Sequence, residues 1–374
     1  MFLFSRTDTS MFGRWWWTID RWLLAALALL MLFGALLVTT ASPAVAQRIG
    51  LNDTYFITRH LVILLFSAGI MFAISLLPSK QVLTLAAVMF LLGIFGVMLT
   101  VFTPLATQIK GAHRWIHLPG LGSVQPSEFV KPAFIILNAW LLSHPAVRGG
   151  KAAKLLPGLL LLLVIGLLMK QPDFGMTAVV SLVWISQLFL AGLPLMLVVV
   201  GGFLGVAGII GAYFTFPHVT TRIDGFLNPE SGDTYQIDRA LDAFRNGGLF
   251  GTGLGQGTVK EQIPDAHADF IFAVAGEELG LLMCAVLLGL LAFIVLRGFY
   301  RAGQGPTLFV TLAASGLIVQ FALQALVNIG SSLHLIPTKG MTLPFISYGG
   351  SSLLATALAM GMLLSLTRKR THAP

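Results

Sequence analysis

Charge is scarce in this sequence: only 10% of its 374 residues are Asp, Glu, Lys or Arg, whereas 56% are hydrophobic. Soluble domains carry about a quarter charged residues, so the composition excludes an ordinary soluble enzyme. Disorder is excluded as well, because it requires low hydrophobicity and high net charge. Cysteine is nearly absent. The single Cys284 lies inside an apolar run, which excludes a disulfide framework and a cysteine-based metal site.

Long apolar runs are what the sequence has instead, and they indicate a protein that crosses the membrane many times. A helix needs about 20 residues for each crossing. Ten segments have roughly that length, which predicts an all-α polytopic membrane protein with about ten transmembrane helices. They are residues 22–41, 59–77, 81–101, 127–144, 155–170, 174–191, 194–215, 268–296, 306–330 and 346–367.

The first apolar segment has a second interpretation. Arginines precede it and Ala44-Val45-Ala46 follows it, which is the outline of a cleavable secretory signal. Its apolar stretch is longer than that of a usual signal, however, and nine more spans follow it. We therefore favour an uncleaved first helix.

The distribution of Lys and Arg predicts the orientation. With the N terminus inside the cell, twelve basic residues fall on the cytoplasmic side and six fall in short segments of the opposite side. Cytoplasmic loops carry such an excess, so both termini are predicted to be cytoplasmic and the net charge of +8 requires no nucleic-acid partner. The twelve are Arg6, Arg14, Arg21, Lys80, Arg148, Lys151, Lys154, Arg297, Arg301, Arg368, Lys369 and Arg370, and the six are Arg48, Arg59, Lys110, Arg114, Lys170 and Lys339.

This orientation divides the chain into three predicted parts. Residues 1–21 form a cytoplasmic N-terminal extension, residues 22–367 form the membrane domain, and residues 368–374 form a cytoplasmic tail. The membrane domain contains one large extracytoplasmic loop, residues 216–267, between predicted helices 7 and 8. A glycine-rich run within it, residues 247–257, lacks the ending of a phosphate-binding loop and is interpreted as a flexible, exposed segment.

Ionisable side chains are costly inside a membrane, so those in the apolar segments are candidates for function. Glu128 and Lys131 are three residues apart at the outer start of the fourth span, on one helical face, and are able to pair. Glu277 and Glu278 are adjacent within the eighth span. They must be protonated, paired across helices or in contact with water.

Asp269 lies where the eighth span begins, at the predicted outer mouth. A half-desolvated carboxylate in that position can serve as a general base. Helix capping by Asp265 or Asp269 is the alternative. Along the ninth span, Gln320, Gln324 and Asn328 recur every four residues and form one polar stripe, which is expected to hydrogen-bond to neighbouring helices.

Four ordered motifs give the chain a resemblance to a known family. On these motifs, and on the spans between them, the chain resembles the FtsW/RodA (SEDS) family of cell-wall polymerases over nearly its whole length. The PTKG turn and the basic N-terminal extension are more similar to division-specific than to elongation-specific members. One departure is Ala268, where the family usually has Thr. The motifs are QPSEFVKPAF (125–134), QPDFG (171–175), GLGQGTVKEQIPDAHADFIFAVAGEELG (253–280) and PTKGMTLPFISYGGSS (337–352).

The resemblance implies a peptidoglycan glycosyltransferase of the bacterial inner membrane, at the division septum, that polymerises lipid II at the outer face. The family's catalytic Asp falls on Asp269, and its Glu–Lys pair falls on Glu128 and Lys131. The implied partners are lipid II, a class B penicillin-binding protein acting as transpeptidase, and other divisome proteins.

The chemistry assigns a task to each candidate. Joining two lipid-linked disaccharides requires a base for the acceptor hydroxyl, and one displacement with undecaprenyl pyrophosphate leaving inverts the anomeric centre. Cations must meet the pyrophosphate, and the candidates on that side are Arg59, Arg114, Lys131 and Lys339. A divalent cation such as Mg²⁺ or Mn²⁺ could share this task, although no sequence pattern indicates a metal site.

Two further function classes stay open at this point. A lipid-linked precursor flippase would use intramembrane carboxylates and broken helices, and a non-catalytic scaffold would only recruit the transpeptidase. The lack of an inverted repeat and the acidic residues at one outer mouth favour the enzyme. We also expect the loop 216–267 to be mobile in the isolated protein, so that a partner which orders it would position Asp269, with Glu261 as the regulatory residue.

Overall fold

The computed structural model describes residues 10–109, 112–118, 122–150, 155–192, 195–215, 217–227, 235–337 and 340–369. Each of the ten apolar segments forms a helix there, most of them within about four residues of the predicted bounds. The helices are α1 (Met11–Thr18), α2 (Arg21–Arg48), α3 (Tyr55–Ser75), α4 (Ser79–Phe102), α5 (Pro126–Ser143), α6 (Pro145–Gly149), α7 (Leu156–Lys170), α8 (Phe174–Leu190), α9 (Leu195–Thr215), α10 (Pro217–Leu227), α11 (Tyr235–Gly247), α12 (Ile271–Gly303), α13 (Leu308–Ser332) and α14 (Gly350–Leu366), with a 3₁₀ helix at Val259–Gln262.

Five of these helices are long and apolar enough to cross a membrane: α2, α3, α4, α12 and α13. A sixth crossing is possible if α9 and α10 together form one bent span. Three further apolar helices, α7, α8 and α14, have only 15 to 17 residues. They fall short of the ~20 residues that a perpendicular crossing needs, so helix length does not confirm the predicted ten crossings, and that number stays a prediction.

The first apolar segment forms a longer helix than predicted, since α2 continues to Arg48. Ala44, Val45 and Ala46 lie in its last turns, and Val45 and Ala46 are buried against the rest of the protein. The uncleaved state of this helix stays a prediction. The described part of the N-terminal extension, from residue 10 on, is also packed, because Trp15 of α1 donates a hydrogen bond from its indole nitrogen to the hydroxyl of Ser75 at 2.8 Å.

The expectation of an all-α chain is wrong in one segment. Residues 106–124 form a three-stranded antiparallel sheet of β1 (Ala106–Ile109), β2 (Ala112–Leu118) and β3 (Gly122–Val124), in that order. The segment is too polar to be a span, and its β-branched and aromatic residues are divided by glycine and proline, which favour turns between short strands.

The interior is built around α5 and α13. Nearly all of α5 is buried, including its polar residues Glu128, Lys131 and Asn138. Of the five candidate spans, α13 is the most buried, with 67% of its apolar window inside the protein. The polar stripe of α13 therefore faces other helices and not lipid.

Gly280 interrupts α12, with φ 77° and ψ 176°. Only glycine adopts this backbone conformation without strain. The 23 residues from Leu281 to Gly303 extend about 34 Å, which alone suffices to cross the membrane. The predicted span 268–296 is therefore misplaced at both ends, because the helix starts at Ile271, breaks at Gly280 and ends at Gly303.

Candidate functional site

Asp269 closes the turn that leads into α12. The backbone amides of Ala268 and Asp269 donate to the carbonyl of Asp265, at 2.9 and 3.1 Å. Its side chain is half-buried and lies against Gly340, where an added Cβ would be 2.8 Å from Asp269 Oδ2. The N-cap position of α12 is Phe270, which makes no side-chain capping hydrogen bond, and capping of this helix start by Asp265 or Asp269 stays a prediction. The carboxylate of Asp269 therefore lies against the backbone of Gly340, where the lack of a side chain leaves space for it.

Asn328 of α13 fixes the position of that turn. Its side-chain amide donates to the carbonyl of Asp269 at 2.9 Å and to the carbonyl of Met341 at 2.7 Å. Asn328 is fully buried. One amide therefore joins the turn that carries Asp269 to the segment that forms the opposite wall of the site.

Glu128 and Lys131 form the predicted ion pair, with Lys131 Nζ 2.8 Å from Glu128 Oε2. The ammonium also donates to Gln324 Oε1 at 3.2 Å. Lys131 is 1% exposed. A charge so far removed from water requires partners, and the ammonium of Lys131 has two of them. Glu128 supplies one from α5, and Gln324 supplies the other from α13.

Gln324 connects this ion pair to the segment beside Asp269. Its amide nitrogen donates to the carbonyl of Thr342 at 3.1 Å and to the hydroxyl of Ser352 at 3.1 Å. The hydroxyls of Thr342 and Ser352 are 2.6 Å apart. Gln324 and Asn328 hydrogen-bond to neighbouring segments, as predicted for the stripe, whereas the buried Oε1 of Gln320 has no hydrogen-bond partner among the described residues. Gln324 also joins the ion pair to the surroundings of Asp269. Sequence reasoning missed Thr342 and Ser352 as network members, although both lie in the quoted motif 337–352.

An aromatic wall lies beside the same turn. The ring of His267 is 4.6 Å from that of Phe56 and 5.0 Å from that of Tyr348, centroid to centroid. Burial lowers the pKa of His267 to about 4, against an opposing effect of Asp265. His267 is therefore neutral at neutral pH. It forms an uncharged wall two residues before Asp269.

The cations predicted to contact a pyrophosphate differ in whether their charged groups are already engaged within the protein. Arg59 is exposed, and its guanidinium carbon lies 4.9 Å from the ring centre of Tyr55. Arg114 holds the turn between α7 and α8, because it donates to the carbonyls of Gln171 (3.2 Å) and Pro172 and lies 3.6 Å from Asp173 Oδ2. Lys339 lies outside the described residues.

Glu277 organises the chain segment that precedes Asp269. Its carboxylate accepts hydrogen bonds from the backbone amides of Thr258, Val259 and Lys260, at 2.8 to 2.9 Å. The side chain of Asn246 donates to it as well, at 2.8 Å. These bonds hold the 3₁₀ helix against the upper part of α12.

Glu278 is paired with Lys260, whose ammonium contacts its carboxylate and donates to the carbonyl of Thr40 at 2.9 Å. Both side chains are buried. Of the alternatives open for this pair of acids, pairing with another segment is the one that Glu278 adopts. Sequence reasoning missed Lys260, because it lies eighteen residues away in a polar loop.

The glycine-rich run 247–257 packs at the break of α12. The amide of Leu281 donates to the carbonyl of Gly248 at 2.9 Å, and the amide of Thr252 donates to the carbonyl of Glu277, also at 2.9 Å. A Cβ at Gly251 would lie 2.2 Å from the carbonyl oxygen of Glu278. The glycines therefore permit close backbone contact at this break, while most of the run is exposed, as predicted, including Leu249, Phe250 and Leu254.

The last part of the loop 216–267 is joined to α2. Arg48 contacts the carbonyl of Glu261 and donates to the carbonyl of Ile263 at 3.4 Å, and Ile263 is fully buried. The side chain of Glu261 is exposed. The segment before Asp269 is therefore attached to α2 through Arg48 and to α12 through Glu277.

No group of three or more His, Cys, Asp or Glu that could hold a metal occurs in the part of the chain that the structure describes. A Mg²⁺ ion held by one carboxylate together with substrate phosphates would not require such a group. The predicted divalent cation therefore stays a prediction.

Known proteins similar to this chain have a consistent description. The FtsW, RodA and SpoVE family model, described as "Cell cycle protein", matches residues 20–372. A protein of Caulobacter vibrioides named "Probable peptidoglycan glycosyltransferase FtsW" is 43% identical over 99% of this chain and 94% of its own length. A protein of Coxiella burnetii with the same name is 37% identical over 94% of this chain and 96% of its own length.

Two solved structures share the fold. One chain, from a structure described as "Structural coordination of polymerization and crosslinking by a peptidoglycan synthase complex", superposes with a TM-score of 0.76. It is 29% identical, and the match covers 93% of this chain and 97% of that one. The rod shape determining protein RodA of Thermus thermophilus superposes with a TM-score of 0.70 at 27% identity, covering 94% and 97%.

Proposed function

This chain belongs to the FtsW, RodA and SpoVE family of cell cycle proteins, and we propose that it is a peptidoglycan glycosyltransferase with Asp269 as its catalytic base. The observation that carries the assignment of the base is the position of Asp269. It is half-buried, its backbone is held by Asn328, and its side chain faces a glycine. A base needs this combination of a fixed backbone and an accessible carboxylate.

The substrate we propose is lipid II, a lipid-linked disaccharide with a pyrophosphate. Asp269 takes the proton of the acceptor hydroxyl as that oxygen attacks the anomeric carbon, and the bond to the pyrophosphate breaks on the opposite side. This single displacement inverts the anomeric centre. The proton ends on the carboxylate, and the electron pair of the broken bond leaves with undecaprenyl pyrophosphate.

The leaving pyrophosphate requires positive charge. We propose Arg59 and Lys339 as its direct contacts. Lys131, which is neutralised by Glu128 and bonded to Gln324, positions the segment at Thr342 beside the site. Contact of Arg114 with the pyrophosphate stays a prediction, since in the structure its guanidinium holds the α7–α8 turn.

The cellular setting follows from the same proposal. We infer ten crossings with both termini in the cytoplasm, Asp269 at the outer face of the bacterial inner membrane, and action at the division septum. The similarity to a chain of a complex that polymerises and crosslinks peptidoglycan supports a class B penicillin-binding protein as the partner, and other divisome proteins would join it.

The test is glycan synthesis from lipid II by the purified full-length protein, alone and with its transpeptidase partner. Asp269→Asn is nearly isosteric, so it should fold normally and lose about 10²–10⁴-fold in rate. Asp238→Asn, which changes an exposed carboxylate of α11, should retain the wild-type rate. Near-normal synthesis by Asp269→Asn would move the base to another carboxylate, with Glu261 next.

The two other function classes predict different outcomes of the same experiment. A scaffold would support crosslinking in cells even with Asp269→Asn. A flippase would move lipid II across vesicles without forming glycan. The pairing of Glu278 with Lys260, and of Glu277 with backbone amides, argues against transport, because each of these buried carboxylates already has a partner within the protein.

A further inference from the structure

A pocket of about 610 Å³ lies at the end of the helix bundle opposite to Asp269. The α1–α2 junction, the C-terminal end of α12 and the segment after α14 form it. The part of α12 after Gly280 extends roughly 34 Å between the two ends. Since the hydrocarbon core of a bilayer measures about 30 Å, the pocket opens at the opposite membrane face from the proposed active site.

Positive charge is in excess in this pocket. Asp20 is buried and lies 2.8 Å from Arg297 Nη2 and 3.2 Å from Arg301 Nε. One carboxylate cannot neutralise all of the cations around it. Among the described residues the charged lining consists of four cations and this one acid: Arg21, Arg297, Arg301, Lys369 and Asp20.

Several of these cations are held in place and still reach solvent. The guanidinium carbon of Arg21 lies 5.2 Å from the ring centre of Trp17, and that of Arg297 lies 5.4 Å from the ring centre of Tyr300. Arg21 and Lys369 are exposed, and the side chain of Arg297 is 31% exposed. Stacking orders a guanidinium but leaves N–H groups at its edge, which suit the oxygens of a phosphate.

The rim of the pocket is aromatic. Trp17 and Trp22 line it, and Trp22 is 70% exposed. Tryptophan is enriched at the membrane–water interface, where lipid headgroups lie. The helix α1 that supplies Trp17 also exposes Met11 and Phe12, the pattern of a helix lying in that interface.

We propose that this pocket binds the phosphodiester headgroup of an anionic phospholipid from the leaflet opposite to Asp269. The stacked guanidinium groups of Arg21 and Arg297 would donate hydrogen bonds to the phosphate oxygens. The exposed Trp22 would lie against the acyl chains. Basic pockets between transmembrane helices on the cytoplasmic side are typical sites of anionic headgroups. A lipid fits better than a free phosphate, because a free anion would leave the tryptophan rim without a partner.

Native mass spectrometry of the purified full-length protein tests this proposal, with phosphatidylglycerol and phosphatidylcholine as probes. The pocket variant is Arg21→Gln/Lys369→Gln. The matched control is Arg14→Gln/Lys80→Gln, which removes two exposed cations of the same predicted face outside the pocket. Thermal unfolding in detergent establishes that both variants fold.

The wild type and the control should retain phosphatidylglycerol in preference to phosphatidylcholine. Basic residues at an anionic surface contribute about 1 kcal/mol each, or roughly fivefold, so the pocket variant should bind about 25-fold more weakly. Equal retention of the two lipids, or an equal loss in both variants, would overturn the proposal. Displacement of the lipid by soluble glycerol 3-phosphate at low concentration would assign the pocket to a free anion. None of these outcomes depends on glycan synthesis.

Discussion

Lys260 contacts Glu278 within the protein interior, although Lys260 belongs to a loop segment and Glu278 to α12. Neighbouring Glu277 binds the backbone amide of Lys260 at 2.8 Å. The two adjacent acids therefore hold the same residue by its side chain and its backbone. Because Asp269 lies between the partners in sequence, this double attachment closes a loop of chain around the proposed base.

We expect Lys260→Met to destabilise the protein, because it strands Glu278 as a buried charge. Loss of one partner of a buried pair costs about 3–5 kcal/mol. The double variant Lys260→Met/Glu278→Leu should recover part of that loss, because it removes both charges. Denaturant unfolding in detergent measures the cycle, with Arg245→Met, an exposed cation of α11, as control. Additive effects of the two changes would contradict a paired Lys260 and Glu278.

Asn328 should act as a positioning residue for Asp269. Asn328→Ala removes the donor to the carbonyls of Asp269 and Met341, so we expect a fall of about tenfold or more in kcat with a smaller change in KM. Gln320→Ala, also buried on the same stripe of α13, is the control. Steady-state glycan synthesis on lipid II measures both parameters. Equal kcat losses in the two variants would indicate a general effect on α13 and not a specific one on Asp269.

Much of this fold is predictable from periodicity and hydrophobicity alone. The positions of the helices follow from apolar length, and the Glu128–Lys131 pair follows from helical spacing within α5. Local rules suffice for both, because each depends on residues close together in sequence.

The parts that sequence reasoning missed depend on contacts between distant segments. The pairing of Lys260 with Glu278 requires the loop to fold back over the break of α12, and hydropathy gives no signal for that return. The Gly280 break itself lies inside the predicted eighth span, where a glycine is compatible with a straight helix. The sheet at 106–124 was missed because its strands are only three to seven residues long.

Glu128 and Lys131 should show strong coupling in a double-mutant cycle. Each single alanine change leaves the other charge buried, whereas the double change leaves none, so the double variant should be less destabilised than the sum of the singles. We expect a coupling free energy of about 1–3 kcal/mol from thermal or denaturant unfolding. Gln324→Ala, added to each corner, should weaken this coupling, since Gln324 bonds the ammonium. Strict additivity would mean that the two charges do not interact.

His267 should make stability depend on pH in the acidic range. Its pKa falls from an ordinary value of 6.5 to about 4 in the folded protein. Between these two pH values the imidazole is protonated in the unfolded chain but neutral in the folded chain. Stability is then lost as the pH falls from 6.5 to 4, by about 3 kcal/mol at most. His267→Phe, which keeps a ring between Phe56 and Tyr348, should flatten this part of the stability curve. His117→Phe, at an exposed position of β2, should leave it unchanged.

Glu261 should influence activation by the transpeptidase more than the chemical step. Its side chain is exposed, but its carbonyl contacts Arg48 of α2, and the chain passes from it through buried Ile263 to Asp269. Glu261→Gly would loosen the 3₁₀ helix at this contact. A partner that orders the loop would then have less influence on the position of Asp269. We therefore expect a smaller ratio of partnered to unpartnered rates of glycan synthesis than in the wild type. Glu261→Gln, which removes the charge but not the backbone restraint, separates the two causes, and equal ratios in all three proteins would exclude Glu261 from the coupling.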